Sequence, residues 1–202
     1  SNRRHQWCRR QNRLDWGFSD TTIKCCLGAG YSDKWSFMYR ISLQKAEDAA
    51  AIDRLMAEAF GPQRHARSVW QLRPGPAVDS LCIVARDGDE IVGSLRFWEV
   101  RLGSQDILLL GPLAVLPSLR GKGCGKALVE DGLRRAIGGP WPLVLVSGEA
   151  DYYPKFGFVP ARDYDLQWPG FIESERLQFY ELVPGALTSL PPGPLVVASV
   201  AK

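Results

Sequence analysis

The chain has 202 residues, of which 46% are hydrophobic and 23% charged, so it has the composition of one ordinary globular domain and is long enough to bury a core. Its net charge of +3 is concentrated in residues 1–38, which hold seven Lys or Arg against three Asp. The remainder is close to neutral, which excludes a polyanion-binding surface over the whole body of the protein.

Residues 1–37 mix Arg, Trp, Cys and Asn without a sustained period of 2 or 3.6 residues, and we predict no element there. Their arginines, together with Trp7 and Trp16, leave a nucleic-acid-binding arm as an alternative. We favour an N-terminal extension of unknown structure and expect no nucleic acid partner, because basic, patternless termini are commonly loosely held. Since Met38 opens a segment typical of a domain start, this extension need not belong to the natural protein.

From Met38 onward the hydrophobic pattern alternates between the periods of strands and helices. The pattern predicts, in chain order, a strand at Tyr39–Leu43, helices at Glu47–Phe60 and Arg64–Leu72, a hairpin of Leu81–Ala85 and Ile91–Val100, a strand at Ile107–Val115, a helix from about Lys122 to Ile137, a strand at Leu143–Val146, and closing strands at Phe158–Arg162 and Arg176–Leu182. A helical crossover makes the strands on either side of it parallel neighbours. These elements predict a mixed α/β domain over residues 38–183.

Residues 184–202 contain four prolines, which predict an irregular Pro-rich C-terminal tail. Leu195–Val197 is the exception, because this apolar run could add an edge strand to the domain. The longest apolar run of the chain, Ile107–Leu116, is interrupted by Gly111 and Pro112 and is too short to span a membrane. We therefore expect no membrane partner.

The five cysteines are odd in number and lack the spacing of a disulfide framework or a metal site. Only two histidines, His5 and His65, are present to complete a zinc site, so no metal is predicted. Free thiols are typical of a reducing compartment, which predicts a cytoplasmic protein.

The turn before the second long helix is rich in glycine and positive charge. Glycines alternate at Gly121, Gly123 and Gly125, so that several backbone N–H groups can point at one spot without a Cβ in the way. The helix that follows adds its unpaired N–H groups and the positive end of its dipole, and the turn adds Arg120, Lys122 and Lys126. This arrangement predicts a site for a polyphosphate.

Spacing separates the known kinds of phosphate loop. A Walker loop would need Gly at residue 120 and Ser or Thr at residue 127, where this chain has Arg and Ala. A dinucleotide fingerprint would need Gly at residue 126 or 128, where it has Lys and Leu. The pattern Arg-x-x-Gly-x-Gly, formed by Arg120, Gly123 and Gly125 after a strand, resembles the acyl-CoA loop of the GNAT superfamily of N-acetyltransferases.

A second motif supports this resemblance. Family members follow the loop helix with a strand and then a short helix ending in Tyr-x-x-x-Gly-Phe, and here Leu143–Val146 precedes Tyr153, Gly157 and Phe158. The resemblance covers roughly residues 39–182. It implies the GNAT fold, a central mixed, mostly antiparallel, splayed sheet flanked by helices, with acetyl-CoA as co-substrate and a small-molecule or peptide amine as acceptor. A homodimer is left open.

The resemblance also implies site residues. CoA would be held at Leu113, Val115, Arg120, Gly121, Lys122, Gly123, Cys124, Gly125 and Lys126. A backbone N–H near Val115 would serve as the oxyanion donor and Tyr153 as the general acid for the CoA thiolate, with Tyr152 as its rival. The early helical region borders the acceptor site, which makes His65 and Trp70 candidate contacts.

The sequence lacks a Cys–His or Ser–His–Asp arrangement, so direct attack by the amine is preferred to an acyl-enzyme. Four carboxylates near predicted strand ends are candidates for the base, as is a water chain: Glu99, Asp106, Glu149 and Asp151. The main alternative function is a non-catalytic domain that binds acyl-CoA as a sensor or an interaction module.

Overall fold

A computed structural model describes residues 21–24, 38–62 and 68–200 of the chain. These residues form ten strands and two α-helices: β1 (Thr21–Lys24), β2 (Met38–Leu43), α1 (Ala49–Phe60), β3 (Ile83–Asp87), β4 (Glu90–Leu102), β5 (Gln105–Val115), α2 (Cys124–Ala136), β6 (Leu143–Ser147), β7 (Val159–Pro160), β8 (Leu166–Gln167), β9 (Leu177–Glu181) and β10 (Leu195–Ser199). Short 3-10 helices lie between them, among them Ser68–Leu72 and Pro154–Phe156.

The strands form one mixed sheet in the order β1-β2-β3-β4-β5-β6-β9-β7, and most neighbouring pairs are antiparallel. The central pair β5 and β6 is parallel, because the chain crosses from one strand to the other through α2. This is the predicted fold class, a mixed and mostly antiparallel sheet flanked by helices.

The two helices cover opposite faces of the sheet, as the alternation of side chains along β3 shows. Ile83 and Ala85 belong to the same buried cluster as Leu128 of α2. Val84, between them in sequence, packs with Ile52 of α1. Neighbouring strand residues point to opposite faces, so the continuous apolar runs in the sequence reflect a sheet that is buried on both sides.

A bulge in β5 separates this strand from β6. Pairing between β5 and β6 ends at Leu110 and Val146, whereas β5 stays beside β4 as far as Val115. The register against β4 shifts where Gly111–Pro112 adds one residue to β5, and the proline has no N–H for a ladder. The predicted splay of the two parallel strands is therefore present, and it begins at the Gly-Pro pair.

Two terminal segments contribute strands to the sheet. β1 lies within residues 1–37, where no element was predicted, and it pairs with β2. β10 pairs with β4 and β8. Residues 195–197 therefore form a strand, which was the alternative to an irregular tail, and the side chains of Leu195 and Val197 are buried. No helix in the part of the chain that the structure describes is long and apolar enough to cross a bilayer.

Some predicted boundaries need correction. The hairpin strand expected from Leu81 begins at Ile83, because residues 79–81 form a 3-10 turn. Within α2, Asp131 is buried although it is charged, and its carboxylate accepts hydrogen bonds from Arg134 and Arg135. The helical pattern does not reveal that two arginines fold back over one carboxylate.

Candidate active site

The gap between β5 and β6 leads into a cleft of about 720 Å³. The end of α1, the bulge of β5, the start of α2 and the segment after β6 all contribute to its walls. The lining residues include Trp70, Arg73, Gly111, Leu113, Val115, Arg120, Gly121, Gly123, Gly125, Lys126, Glu149, Tyr152, Tyr153, Lys155 and Arg176. The cleft therefore joins both motifs that the sequence singled out.

The first turn of α2 directs backbone donors into this cleft. The first bond of the helix runs from the N–H of Ala127 to the carbonyl of Gly123, so the N–H groups just before Ala127 have no partner within the helix. Gly123 precedes the helix with a φ of +89°, a left-handed conformation that a residue with a Cβ adopts only at a cost. The local geometry is that of an anion site at a helix N-terminus.

Three basic side chains line the cleft near the start of α2, and each has a different partner. Arg120 lines the cleft and donates a hydrogen bond to the carbonyl of Ala59 at the end of α1, over 3.1 Å. Lys126 also lines the cleft and lies 3.7 Å from Glu130 on the helix surface. Lys155 lies 3.7 Å above the centre of the Tyr152 ring.

Seven of the nine residues predicted to hold CoA line the cleft, and Lys122 and Cys124 are not among the described residues that do. Lys122 is exposed, and its N–H is bonded to the carbonyl of Leu119. Cys124 is fully buried, with its Sγ against Gly93 of β4. Burial raises the pKa of the Cys124 thiol to about 12, so only its backbone N–H is available at the turn.

The edge of β5 beyond the bulge carries backbone donors toward the gap. The N–H of Leu116 bonds to the carbonyl of Val92 in β4, over 3.0 Å. Successive N–H groups of a strand point to opposite edges, so the N–H groups of Leu113 and Val115 point away from β4. They face the side from which β6 has diverged.

Tyr153 lies where the gap begins. Its ring packs against Gly148 and Phe158, and only 7% of the residue is exposed. Burial, and to a lesser degree Tyr152, raises the pKa of Tyr153 above its ordinary value, while the charges of Arg73 and Arg176 lower it. The balance is upward, so the hydroxyl carries its proton at neutral pH and can donate it.

The wall opposite α2 carries charged residues that sequence reasoning missed. Arg73 and Arg176 line the cleft, and Nη1 of Arg176 lies 2.9 Å from Oε1 of Glu149. Arg73 packs against the rings of Trp70 and Trp98. The sequence carries no clear signal for either arginine, because Arg73 follows the last residue of the predicted helix, Leu72, and Arg176 opens a predicted strand.

The candidate bases and acceptor contacts do not all lie at the cleft. Of the four carboxylates considered as bases, Glu149 is the one that lines the cleft, whereas Glu99 accepts a bond from Trp141 and Asp106 pairs with Arg101. Trp70 lines the cleft, and His65 lies outside the described residues. No cluster of His, Cys, Asp or Glu suited to a metal ion occurs in residues 21–24, 38–62 and 68–200.

Comparisons with known proteins agree with this geometry. The family profile described as Acetyltransferase (GNAT) domain matches residues 78–160. The N-acetyltransferase YhbS of Escherichia coli strain K12, itself uncharacterized, is 29% identical over 147 residues, which cover 71% of this chain and 87% of YhbS. The uncharacterized N-acetyltransferase YjhQ of the same strain is 32% identical over 130 residues, covering 60% of this chain and 72% of YjhQ.

Solved structures resemble the fold as a whole. The crystal structure of E. coli YhbS in complex with CoA aligns with a TM-score of 0.67 and 27% identity, over 82% of this chain and 93% of that one. A GNAT family acetyltransferase of Brucella melitensis in complex with acetyl-CoA aligns with a TM-score of 0.60 and 25% identity, over 82% and 97% of the two chains. By its sequence relatives and its fold, this chain belongs to the GNAT family of N-acetyltransferases.

Proposed function

We propose that this protein transfers an acetyl group from acetyl-CoA directly to the amine of a small molecule or a peptide, with Tyr153 as the general acid. The observation that carries the proposal is the continuity of the cleft. One cavity is lined by the N-terminus of α2, by the free edge of β5 and by Tyr153. A long, flexible thioester with a charged end and a reactive end matches that order of groups.

The charged end of CoA belongs at the start of α2. A pyrophosphate there accepts hydrogen bonds from the first-turn N–H groups and is further attracted by Arg120 and Lys126. The amides of the pantetheine arm then pair with the edge of β5 at Leu113 and Val115. Two aligned relatives were crystallised with CoA and with acetyl-CoA, which supports the same ligand here.

The chemical step is an aminolysis of the thioester. The nitrogen of the neutral amine attacks the carbonyl carbon, the new C–N bond forms, and the C–S bond breaks. The carbonyl oxygen becomes negative on the way, and a backbone N–H near Val115 is the donor that stabilises it. The departing thiolate takes the proton of the Tyr153 hydroxyl, and the phenolate is reprotonated from solvent.

The proton of the amine needs an acceptor. Glu149 is the candidate carboxylate in the cleft wall, and water is the alternative. An acyl-enzyme is disfavoured, because the two cysteines in the described part of the chain, Cys82 and Cys124, are buried and burial raises the pKa of each thiol. Direct transfer therefore requires no nucleophile from the protein.

The test combines binding and turnover. Calorimetry should show CoA binding to the wild type and its loss in Gly123→Val, since the valine would strain the left-handed residue and block the approach of a phosphate. A panel of amines should then give CoA thiol and N-acetyl product in equal amounts. Absence of CoA binding overturns the proposal, and binding without turnover of any amine favours the sensor alternative.

A further inference from the structure

Arg73 lines the cleft beside the bulge of β5 and packs against two indole rings. Its guanidinium carbon lies 5.2 Å from the ring centres of both Trp70 and Trp98. Trp98 is buried and is itself fixed by a hydrogen bond from its Nε1 to the carbonyl of Gly75, over 3.0 Å. A Cβ at Gly111 would lie 3.1 Å from Nη2 of Arg73, so the guanidinium also abuts the bulge of β5.

This guanidinium has no counter-ion among the residues that the structure describes. None of their ion pairs involves Arg73, and its Nε is buried without a hydrogen-bond partner. Burial lowers the pKa of Arg73 to about 9, which still leaves the group charged at pH 7. Other arginines that are largely shielded from solvent are paired, Arg86 with Asp48 and Arg135 with Asp131. An unpaired, desolvated charge is costly, and a ligand anion would relieve it.

The anion is not one of the CoA phosphates. Arg73 abuts Gly111, whereas the phosphate turn, our name for residues 120–126 after the proposed binding of the CoA phosphates, follows the end of β5 at Val115. Four residues of strand separate these points by roughly 13 Å. The part of acetyl-CoA that reaches the bulge is the thioester, which is neutral. A stable anion beside Arg73 must therefore arrive with the acceptor.

We infer that Arg73 binds a carboxylate of the acceptor, so that the substrate is an amine that also carries a carboxylate group. The inference rests on the function proposed above. The two indole rings hold the guanidinium in one orientation, which suits a planar, two-pronged carboxylate. Glu149, on the same cleft, supplies the opposite charge for the ammonium form of the incoming amine.

The test compares acceptors that differ only in this charge. The probes are L-amino acids, ω-amino acids and dipeptides, each paired with its carboxamide, and the quantity measured is kcat/KM for thiol release. In the wild type, kcat/KM for each carboxylate acceptor that is acetylated should exceed kcat/KM for its carboxamide by roughly 10- to 100-fold. This is the range expected for a hydrogen-bonded ion pair. Arg73→Gln should remove the preference by lowering kcat/KM for the carboxylates alone, and Arg73→Lys should retain part of it.

Arg101→Gln is the matched control, because Arg101 lies on the same strand as Trp98 but is exposed and pairs with Asp106. It should leave the preference unchanged. The unfolding temperature of each variant shows whether it folds, and the wild-type comparison stands even where Arg73→Gln does not fold.

Equal rates for carboxylates and amides in the wild type would overturn the inference while leaving the acetyltransferase function intact. An equal loss for both sets in Arg73→Gln would also overturn it, and would assign Arg73 to the departing thiolate instead. If no amine of either set is turned over, the proposed function fails and the inference fails with it.

Discussion

The hydroxyl of Tyr152 lies against Gly125, so closely that a Cβ on residue 125 would be 2.9 Å from it. The ring of the next residue, Tyr153, is turned almost perpendicular to that of Tyr152, with their centres 5.1 Å apart. Two adjacent tyrosines thus serve different parts of the cleft. Tyr152 supports the phosphate turn, and Tyr153 lies at the start of the gap between β5 and β6.

Gly125→Ala should therefore weaken CoA binding through Tyr152. The added methyl group displaces the phenol hydroxyl and the turn beside it, and we expect a loss of roughly 10-fold in affinity, within the range of overpacking by one carbon. Calorimetry with CoA measures this loss. Adding Tyr152→Phe removes the hydroxyl and should restore most of the affinity.

Gly75→Ala is the control for Gly125→Ala, because a Cβ at Gly75 meets no atom within 4 Å and its φ is not in the left-handed region. It should leave CoA affinity unchanged. A double variant as weak as Gly125→Ala alone would show that the clash with Tyr152 is not the cause.

Arg120 and Lys122 should differ in their effects although both flank the same turn. Arg120 lines the cleft, so Arg120→Ala should weaken CoA binding by roughly 10-fold at low ionic strength. The loss of affinity should be smaller in 0.5 M salt, because salt screens the attraction between an exposed charge and the phosphates. Lys122→Ala should have a smaller effect, because Lys122 is not among the described residues that line the cleft. Calorimetric titrations with CoA at two salt concentrations compare the two variants. Equal losses of affinity would contradict the different positions of the two side chains.

The phosphate turn was predictable because its properties are local. Alternating glycines, a helix that begins at once and a Tyr-x-x-x-Gly-Phe segment are visible in consecutive residues, and the structure brings them to one cleft. The splay was expected only from the family resemblance, although Gly111–Pro112 inside an apolar strand is a local feature that marks where it begins. Such signals depend on φ, on a missing N–H or on close approach, which one or two residues determine.

The surroundings of Arg73 in the cleft were not predictable, because the contacts there join distant parts of the chain. Arg73 is held by Trp98 and Gly111, which lie 25 and 38 residues further along the sequence. Arg120 bonds to a carbonyl 61 residues earlier. No periodicity marks such residues, since an arginine on a helical segment is usually solvated. Only the fold shows that Arg73 is enclosed without a carboxylate.

A chain that begins at Met38 should retain CoA binding. It loses β1, which pairs with β2 at the edge of the sheet, but the cleft lies between β5 and β6, three strands away. We expect cooperative unfolding at a somewhat lower temperature, because four residues of pairing are lost, and an unchanged CoA affinity by calorimetry. A weaker affinity for CoA would show that residues 1–37 contribute to the site.

Because of the ion pair between Asp48 and Arg86, the free energy of unfolding should fall at acid pH. Burial raises the pKa of Asp48, but the hydrogen bond from Lys45 and the nearby Arg86 lower it by more, so the pKa lies below its ordinary value. A carboxylate of this kind stabilises the fold above about pH 4, and its contribution is lost as the pH falls through the lowered pKa.

Asp48→Ala should accordingly lower the free energy of unfolding by about 3–5 kcal/mol at pH 7, since it leaves Arg86 shielded and unpaired. Urea titrations at pH 7 and pH 3 should show a smaller difference from wild type at pH 3. Asp106→Ala, which breaks the exposed pair with Arg101, is the control and should cost less than about 1 kcal/mol. An equal loss in the free energy of unfolding for the two variants would show that burial does not strengthen the ion pair of Asp48.

Tyr153 should supply the proton that the departing CoA thiolate takes up. Tyr153→Phe keeps the ring that packs against Phe158 but removes the hydroxyl, so kcat should fall by roughly 10²- to 10⁴-fold with little change in CoA affinity. Because burial raises the pKa of Tyr153, the acid keeps its proton across the neutral and mildly alkaline range. The wild-type rate should therefore show no decline from this group below about pH 10.

Tyr152→Phe is the matched variant, since it removes one hydroxyl from the adjacent ring. Tyr152 supports the turn at Gly125, so this change should alter the KM for acetyl-CoA and spare kcat. Steady-state thiol release between pH 6 and pH 10 separates the two roles. A fall in kcat confined to Tyr152→Phe would move the acid to Tyr152, and an unchanged kcat in both variants would mean that water or another group protonates the thiolate.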